Sequence, residues 1–92
     1  MYPPGETRDQ RHEITRRALA EAVREHMVAR RLRQTKVALG TGISRSFLRS
    51  ILRADKGCSL FVFLELSDGI GADPGDLLSD VLKRRELLRT HR

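Results

Sequence analysis

The sequence predicts an all-α domain, a compact bundle of about five helices. Apolar residues recur at intervals of three and four along most of the chain, capping residues stand at the starts of these segments, and glycines separate them. The one β-rich stretch, "CSLFVFLEL" at residues 58–66, has no second stretch with which to pair. A chain of 92 residues is long enough for one small hydrophobic core.

The first helix is expected to begin near Thr7, because Thr7 and Gln10 have the spacing of a capping box. Its apolar residues recur at helical intervals until the pattern ends near Arg31: Ile14, Leu19, Ala22, Val23 and Met27. Two prolines and a glycine precede it, so residues 1–8 are predicted to form a flexible arm.

A short second helix is predicted from Gln34 to about Gly40, followed by a turn that Gly40 and Gly42 punctuate. The third helix is expected to follow Ser44, a residue type that caps helix N-termini well. The apolar residues of these two helices are expected to face the core: Val37, Ala38, Phe47, Leu48 and Ile51.

A fourth helix is expected to be capped by Ser59 and to end at Gly69 or Gly71. Asp73 followed by Pro74 predicts the start of a fifth, because Asp caps well and Pro suits the first helical position. Apolar residues extend this helix: Leu77, Leu78, Val81, Leu82 and Leu88. The predicted organisation is an arm at 1–8, a helical domain at 9–80 and a basic helical tail at 81–92.

Charge is segregated along the chain, whose net formal charge is +6. Residues 30–57 carry eight Lys and Arg residues against a single acid, Asp55, whereas residues 58–82 carry five acids and no base. Residues 83–92 are again basic. A solvated surface of mixed charge does not explain a strongly basic block beside an acidic one. The pattern indicates a polyanionic partner for residues 30–57.

The segment "GTGISRSFLRSILR", residues 40–53, concentrates this signal, with arginines at positions 45, 49 and 53 and no acid between Gly40 and Ala54. Residues four apart share one face of a helix, so these three side chains would project side by side. An anion outside the protein would offset their mutual repulsion. Arginine suits DNA in particular, because its planar group donates to guanine O6 and N7 together.

Two helices joined by a tight glycine-containing turn form a helix-turn-helix, whose second helix can enter the DNA major groove. The stretch "QTKVALGTGISRSFLRSIL" resembles the helix-turn-helix of the Cro/C1-type (XRE-like) family of phage and bacterial transcription regulators. The resemblance continues through "SLFVFLELSDGIGADPGDLL" and covers about Val23 to Leu78. It implies a five-helix bundle of the lambda-repressor-like type and a sequence-specific regulator that binds double-stranded DNA. Arg33, Leu52 and Cys58 depart from the family pattern, in which Ser or Thr, Glu and Pro are frequent there.

The resemblance also implies a set of DNA contacts. Its base-contacting positions match Ser44, Arg45, Ser46, Arg49, Ser50 and Arg53. Its phosphate contacts, together with neighbouring polar side chains, are expected at Gln34, Thr35, Lys36 and Lys56. Simple helix capping is an open alternative for Ser44, and a solvated surface position is one for Gln34 and the two lysines.

The fourth helix carries more apolar residues than one core-facing stripe requires. If Leu60, Phe63 and Leu66 face the core, Phe61 and Leu64 are left toward solvent, with Val62 at the margin. A second subunit would cover them, so a homodimer interface of Phe61, Val62 and Leu64 is predicted, with a palindromic DNA site. In the alternative, they cover the tail or the first helix within one monomer.

An enzyme is not expected, and no catalytic residue, metal or cofactor is predicted. The three histidines share no metal-binding interval with Cys58, and neither glycine-rich segment follows a strand. No apolar run approaches the roughly 20 residues of a membrane span, and a single cysteine fits a reducing, cytoplasmic location. The leading expectation is a repressor. The alternative is an antitoxin-like protein whose tail, residues 79–92, binds a partner protein; RNA binding is disfavoured because few aromatics are present for base stacking.

Overall fold

The computed structural model describes residues 2–91, which fold into five α-helices with no β-strand among them. The helices are α1 (Arg8–Ala29), α2 (Gln34–Thr41), α3 (Arg45–Leu52), α4 (Leu60–Ile70) and α5 (Pro74–Thr90). The predicted all-α class and the number of helices are confirmed.

Helix starts follow the capping residues that the sequence offers. The hydroxyl of Thr7 accepts the Gln10 N–H at 3.1 Å, and the Gln10 side-chain oxygen accepts the Thr7 N–H at 2.9 Å, so the predicted capping box is complete. Three further predicted caps accept a backbone N–H three residues on: Ser44, Ser59 and Asp73. Helix α2 differs, because Arg33 precedes it and makes no side-chain capping bond.

Three helices, α1, α3 and α4, end in the same hydrogen-bonded motif, in which a residue with positive φ follows the last turn. These residues are Arg31 (φ 55°), Ala54 (φ 63°) and Gly71 (φ 73°). In each motif the residue after the one with positive φ donates its N–H to the carbonyl five residues earlier, as in a Schellman cap. Only Gly71 is of the type that takes this conformation without steric cost. Of the two predicted ends of α4, Gly71 is therefore correct, whereas Gly69 lies inside the helix.

Helix α1 packs against α3 and α5, α2 packs against α3 and α4, and α4 also contacts α5. The core lies between them and draws on all five helices. Its largest fully buried apolar side chains are Val23, Val37, Leu48, Ile51, Leu66, Ile70 and Leu77. Leu52, which the sequence did not assign to the core, is buried as well. Its burial explains why an apolar residue stands where the resembling family often has Glu.

Residues near both ends of the described chain are fastened by side-chain contacts, which join the predicted arm at residues 1–8 to α1 and α5. The buried Glu6 carboxylate accepts two hydrogen bonds from Arg89 near the end of α5, each 3.1 Å long. Hydrogen bonding to this carboxylate is the main reason why the pKa of the Arg89 guanidinium is raised. Arg11 stacks on the Tyr2 ring, 3.7 Å from its centre, and donates to the Glu6 carbonyl. Met1 of the predicted arm and Arg92 of the predicted tail lie outside the described residues.

Candidate nucleic-acid interface

Helices α2 and α3 form a tightly connected pair around a three-residue turn. Gly42 takes φ 74° and donates its N–H to the Ala38 carbonyl at 3.0 Å, which ends α2. The Thr41 hydroxyl donates to the Val37 carbonyl at 2.8 Å and accepts the Ile43 N–H at 3.2 Å. The start of the turn is therefore tied to the end of α2 by hydrogen bonds.

Helix α3 has one buried face and one cationic face. Leu48, Ile51 and Leu52 are buried, and Phe47 packs partly against the core. The predicted base-contacting arginines lie on the exposed side: Arg45, Arg49 and Arg53. None of these three takes part in the ion pairs found within residues 2–91. The helix therefore presents a row of unneutralised guanidinium groups to solvent.

Ser44, which caps α3, and the two serines within the helix have different surroundings. The Ser44 hydroxyl accepts the Phe47 N–H, so the capping role left open by the sequence is realised. The Ser50 hydroxyl donates to the Ser46 carbonyl at 3.1 Å, and Ser50 is half-buried. Ser46 is exposed beside Arg45 and Arg49. Ser46 is therefore the serine best exposed for an external partner.

The N-terminus of α2 carries the expected phosphate-contacting residues. Gln34 is half-buried, while Thr35 and Lys36 are exposed. The side chain of Arg33, which precedes α2, makes no capping hydrogen bond with the first N–H groups of the helix. Gln34 and Arg33 line a shallow cleft together with Arg24 of α1. Helix dipole and side-chain charge both favour an anion at this end of α2.

Two arginines of α1, which sequence reasoning missed, fasten the C-terminal end of α3. Arg24 Nε donates to the Leu52 carbonyl at 2.7 Å, and Arg16 Nε donates to the Ala54 carbonyl at 3.2 Å. Cations that bond the last carbonyls of a helix stabilise its negative end. Arg16 and Arg24 are eight residues apart, which places them about 80° from each other around α1. This spacing gave no signal of the contacts, because they depend on how α1 crosses the end of α3.

The loop after α3, where the sequence departs from the family pattern, is well ordered by hydrogen bonds. The N–H groups of Asp55 and Lys56 both point to the Ser50 carbonyl, at 2.9 and 3.3 Å. Lys56, an expected phosphate contact, is exposed. Cys58 is half-buried, and burial raises the pKa of its thiol. The loop thus presents Lys56 to solvent and turns Cys58 toward the protein.

The predicted dimer-interface residues lie on α4 with unequal exposure. Phe61 is 83% exposed and Leu64 is 39% exposed, as expected for a surface left toward solvent. Val62 packs partly against the core. The expectation that Leu60 faces the core is wrong: it is 69% exposed, because it occupies the first helical position, at the edge of the core.

Much of the tail is engaged within the chain. Arg84 forms ion pairs with Glu25 and, at 3.6 Å, with Glu21, both on α1. His26 Nε2 lies 2.6 Å from an Asp80 carboxylate oxygen, and this hydrogen bond is the main cause that lowers the pKa of Asp80. These contacts hold α5 along α1. Among residues 2–91, no group of three or more His, Cys, Asp and Glu residues is arranged to hold a metal ion, and no helix is long and apolar enough to cross a membrane.

The exposed cations belong to α2, α3 and the loop that follows. These three elements are consecutive in sequence and are joined by the hydrogen bonds described above. Chemically, this arrangement is suited to binding an extended anion. Comparison with protein-family models, with curated proteins and with solved structures finds no match for this chain.

Proposed function

We propose that this chain is a sequence-specific regulator of transcription that binds double-stranded DNA, with α3 in the major groove. The observation that carries the proposal is the row of exposed arginines on α3 that lack an ion pair within residues 2–91. The α2–turn–α3 geometry and the resemblance to the Cro/C1-type helix-turn-helix support it.

The proposed roles follow from position. Arg49 lies in the middle of the exposed face of α3, so its planar guanidinium is assigned to a base edge, with guanine as the preferred partner. Gln34 lies at the start of α2, where side chain and backbone N–H groups meet a phosphate. Lys36 and Lys56 add phosphate contacts from the exposed surface on either side of α3.

A dimeric repressor is the form of regulator that we favour. The acidic block, residues 58–82, would be repelled by DNA, so it belongs at the far side of the complex or between subunits. That block includes α4 with the exposed Phe61 and Leu64. A two-fold dimer formed there would present two α3 helices to successive major grooves, about 34 Å apart, on a palindromic site. A repressor of this size acts by occupying its operator in the bacterial or phage-infected cytoplasm.

A titration against single-base variants of a binding site tests the proposal. The site is first selected from a random duplex library, since the operator sequence is unknown. Arg49→Ala is expected to weaken binding by about 1–3 kcal/mol and to relax preference at one base pair. Gln34→Ala is expected to weaken binding to every variant by the same factor.

Arg8→Ala is the matched control, because Arg8 is an exposed arginine on α1 outside the basic block. It should leave affinity nearly unchanged at the same salt concentration. If Arg49→Ala weakens all duplexes equally, Arg49 is a phosphate contact. If no sequence is enriched and affinity hardly depends on salt, the chain is not a DNA-binding regulator.

A further inference from the structure

An open apolar groove of about 290 Å³ lies beside the start of α4, between α1, α5 and the loop before α4. Apolar side chains and a thiol dominate its lining: Leu19, Cys58, Leu60, Phe63, Leu78 and Val81. Leu60 and Leu78 remain largely exposed at its rim. Phe61 does not line the groove, but it follows Leu60 directly on α4 and is 83% exposed.

We propose that Phe61 of a second copy of this chain fills the groove, and that the exchange is reciprocal in a two-fold dimer. This inference rests on the proposed dimeric regulator and specifies how the dimer forms. A projecting benzyl group and an apolar groove both lie at the start of α4, so each copy offers both halves of the contact, as a two-fold interface requires. Large aromatic anchors in apolar pockets dominate the energetics of such interfaces.

The geometry of α4 also fixes the orientation of the two copies. Leu64 lies between the groove-lining Leu60 and the projecting Phe61, about 40° and about 60° from them around the helix axis. A two-fold axis across α4 would bring each Phe61 toward its equivalent and away from the groove. An axis running along α4 brings each Phe61 over the groove of the other copy. The two α4 helices are therefore expected to pack roughly parallel.

The charges beside the groove suit the same occupant. Glu65 follows Phe61 by one helical turn and is exposed, with no ion pair in residues 2–91. Arg16 lines the groove. When Phe61 enters the groove of a second copy, it brings the acidic Glu65, one turn further along α4, to the side of that copy that carries Arg16. Arg16 also donates to the Ala54 carbonyl after α3, so filling the groove would steady the helix proposed to read DNA.

Sedimentation equilibrium measures the contribution of Phe61. Phe61→Ala is expected to raise the dimer dissociation constant by roughly 30-fold for each inserted ring, hence by roughly 1,000-fold for two. Leu39→Ala is the matched control, since Leu39 is 85% exposed on α2 and lies outside the groove. Its dissociation constant should stay within a factor of about two of wild type. Equal effects of the two substitutions would overturn the proposal.

Chemical cross-linking tests the specific pairing, because Cys58 lines the groove and is the one cysteine of the chain. The variant Phe61→Cys is treated, at a protein concentration above its raised dimer dissociation constant, with a short bifunctional thiol reagent whose spacer replaces the removed ring. Since burial raises the pKa of the Cys58 thiol, the reaction is run at alkaline pH. Covalent dimers joined between position 61 of one copy and Cys58 of the other, identified by peptide mapping, are expected.

Adding Cys58→Ser to the Phe61→Cys variant should abolish these dimers. Dimers that persist, joined through position 61 in both copies, would overturn the groove assignment. Leu39→Cys should give no dimer. DNA titration of the same proteins separates the two levels of inference. Dimeric DNA binding without the 58–61 cross-link would support the proposed function and refute the insertion of Phe61 into the groove. The 58–61 cross-link without DNA binding would support the insertion and refute the proposed function.

Discussion

Helices α2 and α4 approach each other closely at Gly69, and this contact yields a sharp test of how the α2–turn–α3 unit is held. A Cβ atom built on Gly69 would lie well inside van der Waals contact of the Thr41 Cγ2 methyl. The next nearest atoms, Thr41 Cβ at 3.8 Å and Val37 Cγ1 at 3.9 Å, are at ordinary contact distances. The substitution Gly69→Ala therefore creates one specific clash, with one methyl group.

That methyl group is not free to rotate away. The Thr41 hydroxyl donates to the Val37 carbonyl at 2.8 Å and accepts the Ile43 N–H at 3.2 Å, so turning the side chain breaks both bonds. Each is worth about 0.5–1.5 kcal/mol, and overpacking costs about 1–3 kcal/mol. Alanine in place of an interior helical glycine gains about 1 kcal/mol of helix propensity. We expect Gly69→Ala to lower the free energy of unfolding by about 1 kcal/mol.

Thr41→Ser removes the methyl group and keeps the hydroxyl, so it should relieve the clash. In the Thr41→Ser background, Gly69→Ala is expected to stabilise the protein by up to about 1 kcal/mol, which gives a coupling of about 2 kcal/mol in a double-mutant cycle. Urea unfolding of the four proteins measures the free energies, and DNA titration should show the same pattern of loss and rescue. Additivity within about 0.5 kcal/mol would refute the assigned contact.

The remaining predictions concern helix ends and pH. Arg31→Gly and Ala54→Gly should each raise the free energy of unfolding by about 0.5–1 kcal/mol, because both residues have positive φ, whereas Gly71→Ala should lower it. Thermal unfolding of the three variants measures these changes. An equal response of all three variants would contradict the conformational reason. The hydrogen bond from His26 lowers the pKa of Asp80 in the folded protein. The stabilisation from this bond is therefore present above the pKa that Asp80 has in the unfolded chain, and it is lost as the pH falls through the lower pKa of the folded state. Asp80→Asn should therefore destabilise the protein near neutral pH, with a difference that vanishes in acid; a difference independent of pH would contradict this.

Local signals in the sequence were sufficient for the order of the helices. Thr7, Ser44, Ser59 and Asp73 are each read from a few neighbouring residues, and their hydrogen bonds satisfy N–H groups within one turn. The exposed arginines of α3 were predictable for the same reason, since a spacing of four is a property of one helix. The DNA contacts assigned to them stay predictions.

Long-range placement was not available from such patterns. The bonds from Arg16 and Arg24 to the end of α3 depend on how α1 crosses it, which no spacing within α1 specifies. Leu60 belongs to an apolar run but lies at the rim of a groove, because the neighbouring loop and α5 leave that side open. The buried Glu6 likewise meets a partner more than 80 residues away.

The fastening of α3 has a consequence for what its arginines can do. A helix that reads bases must hold its side chains to a fraction of an ångström, yet α3 has only eight residues and could not persist alone. Its start is fixed by the Ser44 cap and the turn, and its end by guanidinium groups of α1 that bond its final carbonyls. Both anchors are polar and lie beside the cationic face of α3, so they add positive charge or hydrogen-bond donors there without covering the exposed arginines. Rigidity and an anion-attracting surface are thus supplied by the same side chains, and a substitution such as Arg24→Met should weaken both together.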